Sequence, residues 1–299
     1  MKKVFIVILN WNRADETMEC VTSLDKCQMS NVKCQIIIVD NGSVEKLKIK
    51  NEKLKIIENK ENLGFAEGNN VGVRYALEND ADYLMILNND TLVEKNLIIN
   101  FLEATEKYKD VGIFSPKIYF APGFEFHKNR YKASDLGRVI WSAGGNIDWN
   151  NVYGNNLGVD EVDLGQFDKP KIIDFAPGTC MFIRRNVFEK LGLFDEKYFL
   201  YYEDVDFCVK AAKLGFRSIY WPKSIIWHKV AGSSAIGSDL NDYFITRNRL
   251  LFGSHYASLR TKFALLRESV KLLLKGRKLQ RIGVRDFYLR NLGKGSWPR

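Results

Sequence analysis

The sequence predicts an α/β protein with a mostly parallel central sheet, and two observations lead to this prediction. Continuous apolar runs rich in β-branched residues recur along the first part of the chain, and such runs are typical of parallel strands buried on both faces. Segments of helical periodicity separate these runs, and Gly, Asn and Asp mark the turns. Strands that alternate with helices in this way form βαβ units, in which consecutive strands run parallel.

Each expected element of the first half follows from one of these patterns. A Gly/Asn-rich loop at residues 62–70 is expected to lead into a helix, and residues 93–108 are expected to form another helix. Asn12 or Asp15 is expected to cap the helix that follows the first strand. The expected strands lie at residues 4–9, 34–40, 54–59, 83–90 and 111–120.

The second half of the chain is less regular. Between about residues 120 and 170, Gly, Asn and aromatic residues indicate hairpins and loops over a binding face. Regular structure then returns and continues to the end of the chain. The expected elements are a strand pair at 172–185, a helix at 203–213, short strands at 217–222 and 224–228, and helix from 239 onward.

Composition excludes several classes of protein. Of the 299 residues, 46% are hydrophobic and 27% are charged, which supports a large core and rules out disorder over most of the length. No apolar run approaches the roughly 18 residues of a membrane-spanning helix, and the N-terminal apolar stretch predicts a strand rather than a signal peptide. The five cysteines form no C-x-x-C, so they indicate neither a disulfide framework nor a zinc site and favour a reducing cytoplasm.

The net charge of +9 comes from the end of the chain. Residues 250–299 carry twelve Lys and Arg against two acids, so the rest is nearly neutral and a nucleic-acid-binding body is not indicated. One predicted helix of this tail has an apolar face beside a basic one. It either binds an anionic membrane surface or docks on the domain with a solvated basic side. The apolar positions are Phe263, Leu266, Val270, Leu273 and Leu274, and the basic ones are Arg267, Lys271, Lys275 and Lys278.

Polar side chains follow three of the predicted strands at their carboxyl ends, where open α/β sheets bind ligands. Trp11 is suited to stack on a base or ribose, Asp40 to accept a hydrogen bond from a base, and Asp90 to bind a divalent cation. Helix caps and turns are the better explanation of each end alone, but three such ends at one edge favour a nucleotide site. The three ends are Asn10-Trp11-Asn12, Asp40-Asn41 and Asn88-Asn89-Asp90.

Two further segments carry candidate acid–base or cation-binding groups. Glu203, Asp204 and Asp206 lie in the first turn of a predicted helix, where acids complement the helix dipole. Burial beside aromatic residues would instead raise the pKa of one carboxylate and make it a general base. His228 ends an apolar strand and is either a structural histidine or a ligand of a cation. The glycines of the 62–70 loop would let the backbone approach a ligand, although the loop lacks the G-x-G-x-x-G pattern of dinucleotide-binding enzymes.

Taken in order, these motifs resemble the inverting family 2 glycosyltransferases with the GT-A fold, in particular their rhamnosyltransferase-like branch. The resemblance covers residues 4–251 and rests on ILNWN, IIIVDNGS, NLGFAEGNN, YLMILNNDT, APGTCMFIRR, GLFDEKYFLYYEDVDFCVKAAKLGF and IIWH. It implies a GT-A catalytic domain at residues 1–250, followed by a basic amphipathic helical tail at 251–299. Within the domain, residues 1–119 would bind the nucleotide and residues 120–250 the acceptor.

The resemblance also implies a role for each matching residue. Asp204 matches the catalytic base, with Glu203 beside it, and Asp90 and His228 match ligands of a divalent cation. Asn88 stands where the family's D-x-D motif has its first acid. Contact with the nucleotide sugar is implied for Asn10, Trp11, Asp40, Gly68, Asn69, Asn70, Asn88, Asn89 and Asp90. Contact with the acceptor or the diphosphate is implied for Gly178, Thr179, Arg247 and Arg249.

The implied function is metal-dependent transfer of a sugar, rhamnose or another hexose, from a nucleotide-diphosphate donor with inversion. The acceptor would be a glycan or a lipid-linked sugar in cell-surface polysaccharide synthesis, and the cofactor Mn²⁺ or Mg²⁺. The tail would hold this cytoplasmic enzyme on the inner face of the cell membrane, and no nucleic acid is expected as a partner. Two alternatives stay open. One is a sugar nucleotidyltransferase, although only Arg13 is basic after the first strand. The other is an inactive nucleotide- or glycan-binding module, for which Asn88 leaves room.

Overall fold

The computed structural model describes residues 1–28, 32–45, 47, 54–230 and 238–297. Strands and helices alternate along these residues. The strands are β1 (Lys2–Asn10), β2 (Val32–Asp40), β3 (Leu54–Glu58), β4 (Tyr83–Asn88), β5 (Thr91–Val93), β6 (Val111–Phe120), β7 (Ile140–Ser142), β8 (Gly145–Asp148), β9 (Tyr153–Asn156), β10 (Lys171–Ile173), β11 (Cys180–Arg184) and β12 (Arg217–His228). The helices are α1 (Ala14–Asp25), α2 (Gly64–Glu78), α3 (Leu97–Lys107), α4 (Arg185–Leu191), α5 (Glu203–Lys213), α6 (Asp239–Tyr256), α7 (Leu259–Lys275) and α8 (Lys278–Tyr288).

The central sheet has the main path β10-β12-β6-β11-β4-β1-β2-β3, with β5 beside β12 and β7 beside β6. Parallel pairs join β1 to β2 and β4, β2 to β3, and β6 to β12. β11 runs antiparallel to both of its neighbours, and β8 and β9 form a separate hairpin. The strand order reverses between β1 and β4, which is the point where open α/β sheets bind ligands.

Alternate residues of β1 are buried in two different cores. Val4, Ile6 and Ile8 pack in a core shared with α1 and α3, whereas Phe5 and Val7 pack in a core shared with α2 and α5. Successive side chains of a strand point to opposite faces of a sheet, so helices on both faces require an apolar residue at every position. This layering explains the uninterrupted apolar run at the start of the chain.

The Gly/Asn-rich segment predicted as a loop is instead helical from Gly64 onward, within α2. A Cβ atom on Gly68 would lie 2.7 Å from the Leu9 side chain, and one on Gly72 would lie 2.4 Å from Val7. These glycines therefore let α2 pack closely against β1. The loop prediction was wrong because composition alone does not separate glycines of a turn from glycines at a close contact of a helix and a strand.

Three smaller differences from the predicted elements are local. The helix predicted from residue 93 begins at Leu97, because residues 91–93 form β5 and pair with β12. The two short strands predicted after residue 216 are one strand with a register shift near Trp221. Neither expected residue caps α1: the Asn12 side-chain oxygen accepts from the backbone N–H of Val44 at 2.8 Å instead.

The C-terminal helices pack on the rest of the protein. α6 passes through residue 250, where the basic tail was predicted to begin, and ends at Tyr256. The Tyr243 hydroxyl of α6 donates to Asp286 of α8 at 2.5 Å, and Arg277 pairs with Asp242. Within the described ranges, none of the helices combines the length and the apolar character that crossing a bilayer requires.

Candidate active site

A chain of hydrogen bonds joins the carboxyl ends of β1, β2 and β4. Asn89 donates to the Thr17 hydroxyl at 3.0 Å, and this hydroxyl lies 2.8 Å from the Asn10 side-chain oxygen. The Asn10 amide in turn donates to Asp40 at 3.4 Å and to Ser43 at 3.2 Å. The structure thus brings together the three polar strand ends that the sequence singled out.

The residues of this network differ in their access to a ligand. Asp40 and Asn10 are 0% and 1% exposed, so they order the surrounding turns from within the protein. Trp11 is 51% exposed at the same edge, and its ring is free to stack on a flat group. Asn88 and Asn89 are half-buried, and the Asn88 backbone N–H donates to the Thr179 carbonyl at 2.9 Å.

The side chains of Asp90 and His228 meet because β5 pairs with β12. His228 is the last residue of β12 and lies opposite Thr91, and the Lys229 backbone N–H donates to the Asp90 carbonyl at 2.8 Å. As a result, His228 Nε2 lies 3.2 Å from Asp90 Oδ1. The ring of Trp141 packs edge-on against the imidazole, with centroids 4.7 Å apart.

These two side chains fit a divalent cation site with two protein ligands. Asp90 Oδ1 is buried and accepts no hydrogen bond from the described part of the chain, although it faces an imidazole nitrogen. A carboxylate oxygen and an imidazole suit Mn²⁺ and Mg²⁺ when phosphate oxygens and water complete the coordination. No cluster of three His, Cys, Asp or Glu residues is present among the described residues, so the protein offers a pair rather than a closed cage.

Asp204 lies at the start of α5 and is held by backbone N–H groups. Its Oδ2 accepts from Gly178 and its Oδ1 from Val205, each at 2.8 Å. Gly178 precedes Thr179, whose carbonyl binds the backbone of Asn88, so Asp204 lies on the β4 side of the sheet edge. A Cβ atom at Gly178 would approach the Phe65 ring to 3.2 Å, which explains a glycine beside this carboxylate.

The carboxylates at the start of α5 have three different environments. Burial raises the pKa of Glu203 well above its usual range, and the charges of Asp204 and Asp206 raise it further. Burial also raises the pKa of Asp204, although the N–H groups of Gly178 and Val205 counteract part of this shift. Asp204 is half-buried, whereas Glu203 is 4% exposed. Asp204 is therefore the carboxylate with a raised pKa that a substrate can reach.

Asp206, the third acid of this turn, has a structural role. It is 1% exposed and forms an ion pair with Lys210 at 2.7 Å. The hydroxyls of Tyr198 and Tyr256 donate to it at 3.1 and 2.8 Å. Asp206 thereby ties the loop before α5 to the end of α6.

The loop that leads into α5 has a strained backbone. Phe199, Tyr201 and Tyr202 all have positive φ angles, of 61°, 67° and 75°. Residues other than glycine rarely adopt this backbone conformation, which costs about 1–3 kcal/mol for each residue. Contacts from elsewhere in the protein must therefore hold this loop, which sets the position of Glu203 and Asp204.

The side chains of Arg247 and Asn248 on α6 supply these contacts. The Asn248 amide donates to the carbonyls of Tyr198, Leu200 and Tyr201 at 2.8–2.9 Å. The Arg247 guanidinium donates to the Tyr198 carbonyl at 3.0 Å and to the carbonyls of Lys197 and Gly293. The loop before α5 is thus fixed by α6 and, through Gly293, by the C-terminal segment.

Arg247 and Arg249, which were predicted to contact the diphosphate or the acceptor, both donate hydrogen bonds to other groups of the protein. Arg247 is 0% exposed and its donors are occupied by carbonyls, while burial lowers the pKa of its guanidinium. Arg249 donates to the Asn151 carbonyl at 2.7 Å and forms two hydrogen bonds with Glu268. Both arginines connect elements of the fold, because their partners lie far away in the sequence.

Gly68, Asn69 and Asn70 lie inside α2 rather than in a loop. Asn70 is buried, and its side chain exchanges two hydrogen bonds with the backbone of Phe194 at 2.9 and 3.0 Å. Asn69 donates to the Phe65 carbonyl at 2.9 Å. These side chains fix the start of α2. The Phe199 carbonyl also accepts hydrogen bonds from the start of α2, so Asn69 and Asn70 stabilise the candidate active site from within the protein.

Two groups of the strand-end network, Thr17 and Ser43, were not among the residues predicted from the sequence. The Ser43 backbone N–H donates to Asp40 Oδ1 at 3.2 Å, the pattern of an Asp residue that closes its own turn. The segment Asp40-Asn41-Gly42-Ser43 contains the signal for such a turn. Thr17 lies on α1 opposite Asn10, and only the packing of α1 on the sheet brings it there.

Residues 5–192 match the family model described as Glycosyl transferase family 2. The hexosyltransferase Agl10 of low-salt glycan biosynthesis in Haloferax volcanii is 27% identical over 211 residues, which cover 70% of this chain and 61% of the relative. The N-acetylglucosaminyl-diphospho-decaprenol L-rhamnosyltransferase of Mycobacterium tuberculosis is 26% identical over 157 residues, covering 51% of this chain and 48% of the relative. The chain thus spans about three fifths and about half of these two relatives.

A longer match covers a third relative, the dTDP-rhamnosyl transferase RfbF of Shigella flexneri. It is 23% identical over 286 residues, which cover 92% of this chain and 84% of the relative. The similar proteins thus include rhamnosyltransferases, as the resemblance implied.

Solved structures confirm the predicted GT-A fold. GalNAc-T7, crystallised with UDP, GalNAc and Mn²⁺, superposes with a TM-score of 0.67 at 17% identity, covering 96% of this chain and 55% of that one. The mannosyltransferase PcManGT of Pyrobaculum calidifontis, in complex with GDP-Man and Mn²⁺, superposes with a TM-score of 0.53 at 14% identity, covering 99% and 76%. With a GT-A fold and a family model that matches well over half of its length, the chain belongs to glycosyl transferase family 2.

Proposed function

We propose that the protein transfers a hexose from a nucleotide-diphosphate donor to an acceptor hydroxyl with inversion of the anomeric carbon. The observation that carries this proposal is the position of Asp204. Its carboxylate is half-buried and has a raised pKa, and Gly178 and Thr179 connect it to the strand end that carries Asp90. A general base and a candidate diphosphate site thus belong to the same edge of the sheet.

The residues divide the work of an inverting displacement between them. Asp204 accepts the proton of the acceptor hydroxyl as the oxygen attacks the anomeric carbon from the face opposite the leaving group. A base in this position contributes about 10²–10⁴-fold to the rate. The N–H groups of Gly178 and Val205 orient the carboxylate. A single base without a covalent intermediate gives inversion.

The donor is proposed to bind across the ends of β1, β2 and β4. Trp11 stacks on the base or ribose, and Asp40 orders the turn beneath it through Ser43. Asp90 and His228 would hold a Mn²⁺ or Mg²⁺ ion, which neutralises the leaving diphosphate when it is bound. Asn88 carries no charge, so Asp90 is the carboxylate available for this role.

Rhamnose or a related hexose is the proposed sugar, because the similar proteins include a dTDP-rhamnosyl transferase and a hexosyltransferase. A lipid-linked acceptor is proposed for the same reason, since another relative acts on a diphospho-decaprenol. The enzyme would then work in cell-surface polysaccharide synthesis on the inner face of the cell membrane, as a peripheral protein in the cytoplasm.

Replacement of Asp204 tests the proposed base. We expect Asp204→Asn to slow sugar transfer by about 10²–10⁴-fold while the stabilisation by nucleoside diphosphate and Mn²⁺ in a thermal-shift assay stays near that of wild type. Asp25→Asn, an exposed acid at the end of α1, serves as the control and should keep full turnover. Wild-type turnover by the purified Asp204→Asn variant would remove Asp204 from the mechanism.

A further inference from the structure

Six apolar side chains of α7 point away from the protein. Leu259, Phe263 and Leu274 are 77%, 72% and 74% exposed, and Leu266, Val270 and Leu273 are between 44% and 51% exposed. At 100° per residue, all six fall within one stripe along the helix. An exposed apolar stripe that runs along a whole helix is unusual on a soluble monomer, and exposed apolar patches mark interaction sites.

The opposite side of α7 docks on the domain, so the outward stripe does not result from a detached helix. Thr261, Leu265 and Ser269 are buried, and the Leu265 side chain packs tightly against Gly253 of α6. The helix is also held through Glu268, which pairs with Arg249 at 2.7 Å. The sequence left open whether this helix docks on the domain or binds a membrane. In the structure, the helix docks through a mixed, largely polar side and presents its apolar side outward.

Unpaired basic residues flank the apolar stripe. Arg260, Arg267 and Lys271 are exposed along one edge, and Lys262 lies at the other. None of these four forms an ion pair with an acid in the described part of the chain, and the only acid of α7, Glu268, faces the domain. The outward surface of α7 is thus apolar in the middle and positively charged at its margin.

The charge distribution of this surface indicates which kind of partner binds to it. An anionic bilayer offers acyl chains to the stripe and negative headgroups to the basic margin, as an amphipathic helix in the interface requires. A second copy of the chain would bring the same basic residues of both copies together in a two-fold interface, where like charges repel. Charge complementarity therefore favours a lipid surface.

We propose that the outward face of α7, formed by Leu259, Phe263, Leu266, Val270, Leu273 and Leu274 with its basic margin, binds the surface of an anionic membrane. This face is the surface through which the proposed membrane association would take place. The inference depends on the proposed function only where it assumes a lipid-linked acceptor. Because α7 is joined to α6 through Arg249, and α6 holds the loop before Asp204, membrane contact also fixes the orientation of the candidate active site relative to the bilayer.

Vesicle flotation of the full chain tests this surface. Wild type is expected to float with phosphatidylcholine vesicles that contain phosphatidylglycerol, to float poorly with phosphatidylcholine alone, and to be released by salt. Phe263→Ser combined with Leu274→Ser should lower flotation about tenfold or more, as should Arg267→Glu with Lys271→Glu. Matched controls are Leu164→Ser, 81% exposed on a distant loop, and Lys60→Glu, which is also exposed.

Three results would overturn the proposal: unchanged flotation of both double variants, equal flotation on neutral vesicles, or a wild-type dimer in solution that Phe263→Ser with Leu274→Ser converts to a monomer. Transfer to a soluble acceptor separates this inference from the proposed function. The double variants should retain it fully if only the membrane contact is lost. Absence of transfer by the wild type, with flotation intact, would contradict the proposed function and leave the membrane surface standing.

Discussion

The two sides of the candidate active site are built in different ways. On the donor side, the ends of β1, β2 and β4 are held by side chains close to the strands themselves, such as Asn10 and Ser43. On the catalytic side, the loop before Asp204 has a strained backbone and is fixed by Asn248, about 50 residues further along the chain. The proposed donor side therefore depends on local sequence, whereas the position of Asp204, the proposed base, depends on the C-terminal helices.

The proposed cation ligand and the contacts that hold the loop before Asp204 separate the two sides, and the larger of these two effects is expected from loss of the cation ligand. Asp90→Ala should lower transfer by at least about 100-fold, as removal of groups that stabilise developing charge does, and should abolish the effect of Mn²⁺ on nucleotide binding. A thermal-shift titration with nucleoside diphosphate, with and without Mn²⁺, measures this effect. Asp25→Ala is the control, and a metal titration of Asp90→Ala that matches wild type would place the ion elsewhere.

A smaller effect is expected from the loop contacts on the catalytic side. Asn248→Ala leaves the carbonyls of Tyr198, Leu200 and Tyr201 without their amide donor, and a shift of about 1 Å in a positioned group can cost about 100-fold in rate. We expect kcat to fall by about 10–100-fold while nucleotide affinity changes little.

The control for this variant is Asn146→Ala, at an exposed position outside the site. If nucleotide affinity fell in parallel with kcat, Asn248 would support the whole fold rather than the position of the base. The comparison between the two sides of the site would then lose its basis.

The smallest expected effect concerns the buried neighbour of the base. Burial raises the pKa of Glu203 in the folded protein, so the folded state holds this proton to higher pH than the unfolded chain does. Stability should therefore fall as pH rises from the unfolded pKa toward the folded one. Glu203→Gln should remove this loss, so that its stability relative to wild type is greater at pH 8 than at pH 4 in urea unfolding. The opposite ordering would contradict the burial argument.

The sequence predicted the regions in which local pattern determines structure. The strands β1, β2 and β4, the limits of α5 and the polar strand ends all follow from runs of apolar residues and the residues that interrupt them. The family resemblance implied that Asp90 and His228 lie close together. The pairing of β5 with β12 places His228 Nε2 3.2 Å from Asp90 Oδ1.

The remaining features depend on contacts between distant parts of the chain. Two neighbouring arginines such as Arg247 and Arg249 are typical of a phosphate-binding site. In the structure, however, their guanidinium groups donate hydrogen bonds to backbone carbonyls and to Glu268. The helical periodicity of α7 predicted an apolar face without indicating whether that face is buried or exposed. Only the packing of Leu265 against α6 shows that this face points outward.

A crystal structure with Mn²⁺ and a nucleoside diphosphate tests the central claim most directly. Anomalous scattering from Mn²⁺ is expected between Asp90 and His228, with the diphosphate beside it and the Asp204 carboxylate facing the same cavity. A manganese peak away from both Asp90 and His228, or a diphosphate separated from Asp204 by the sheet, would contradict the account.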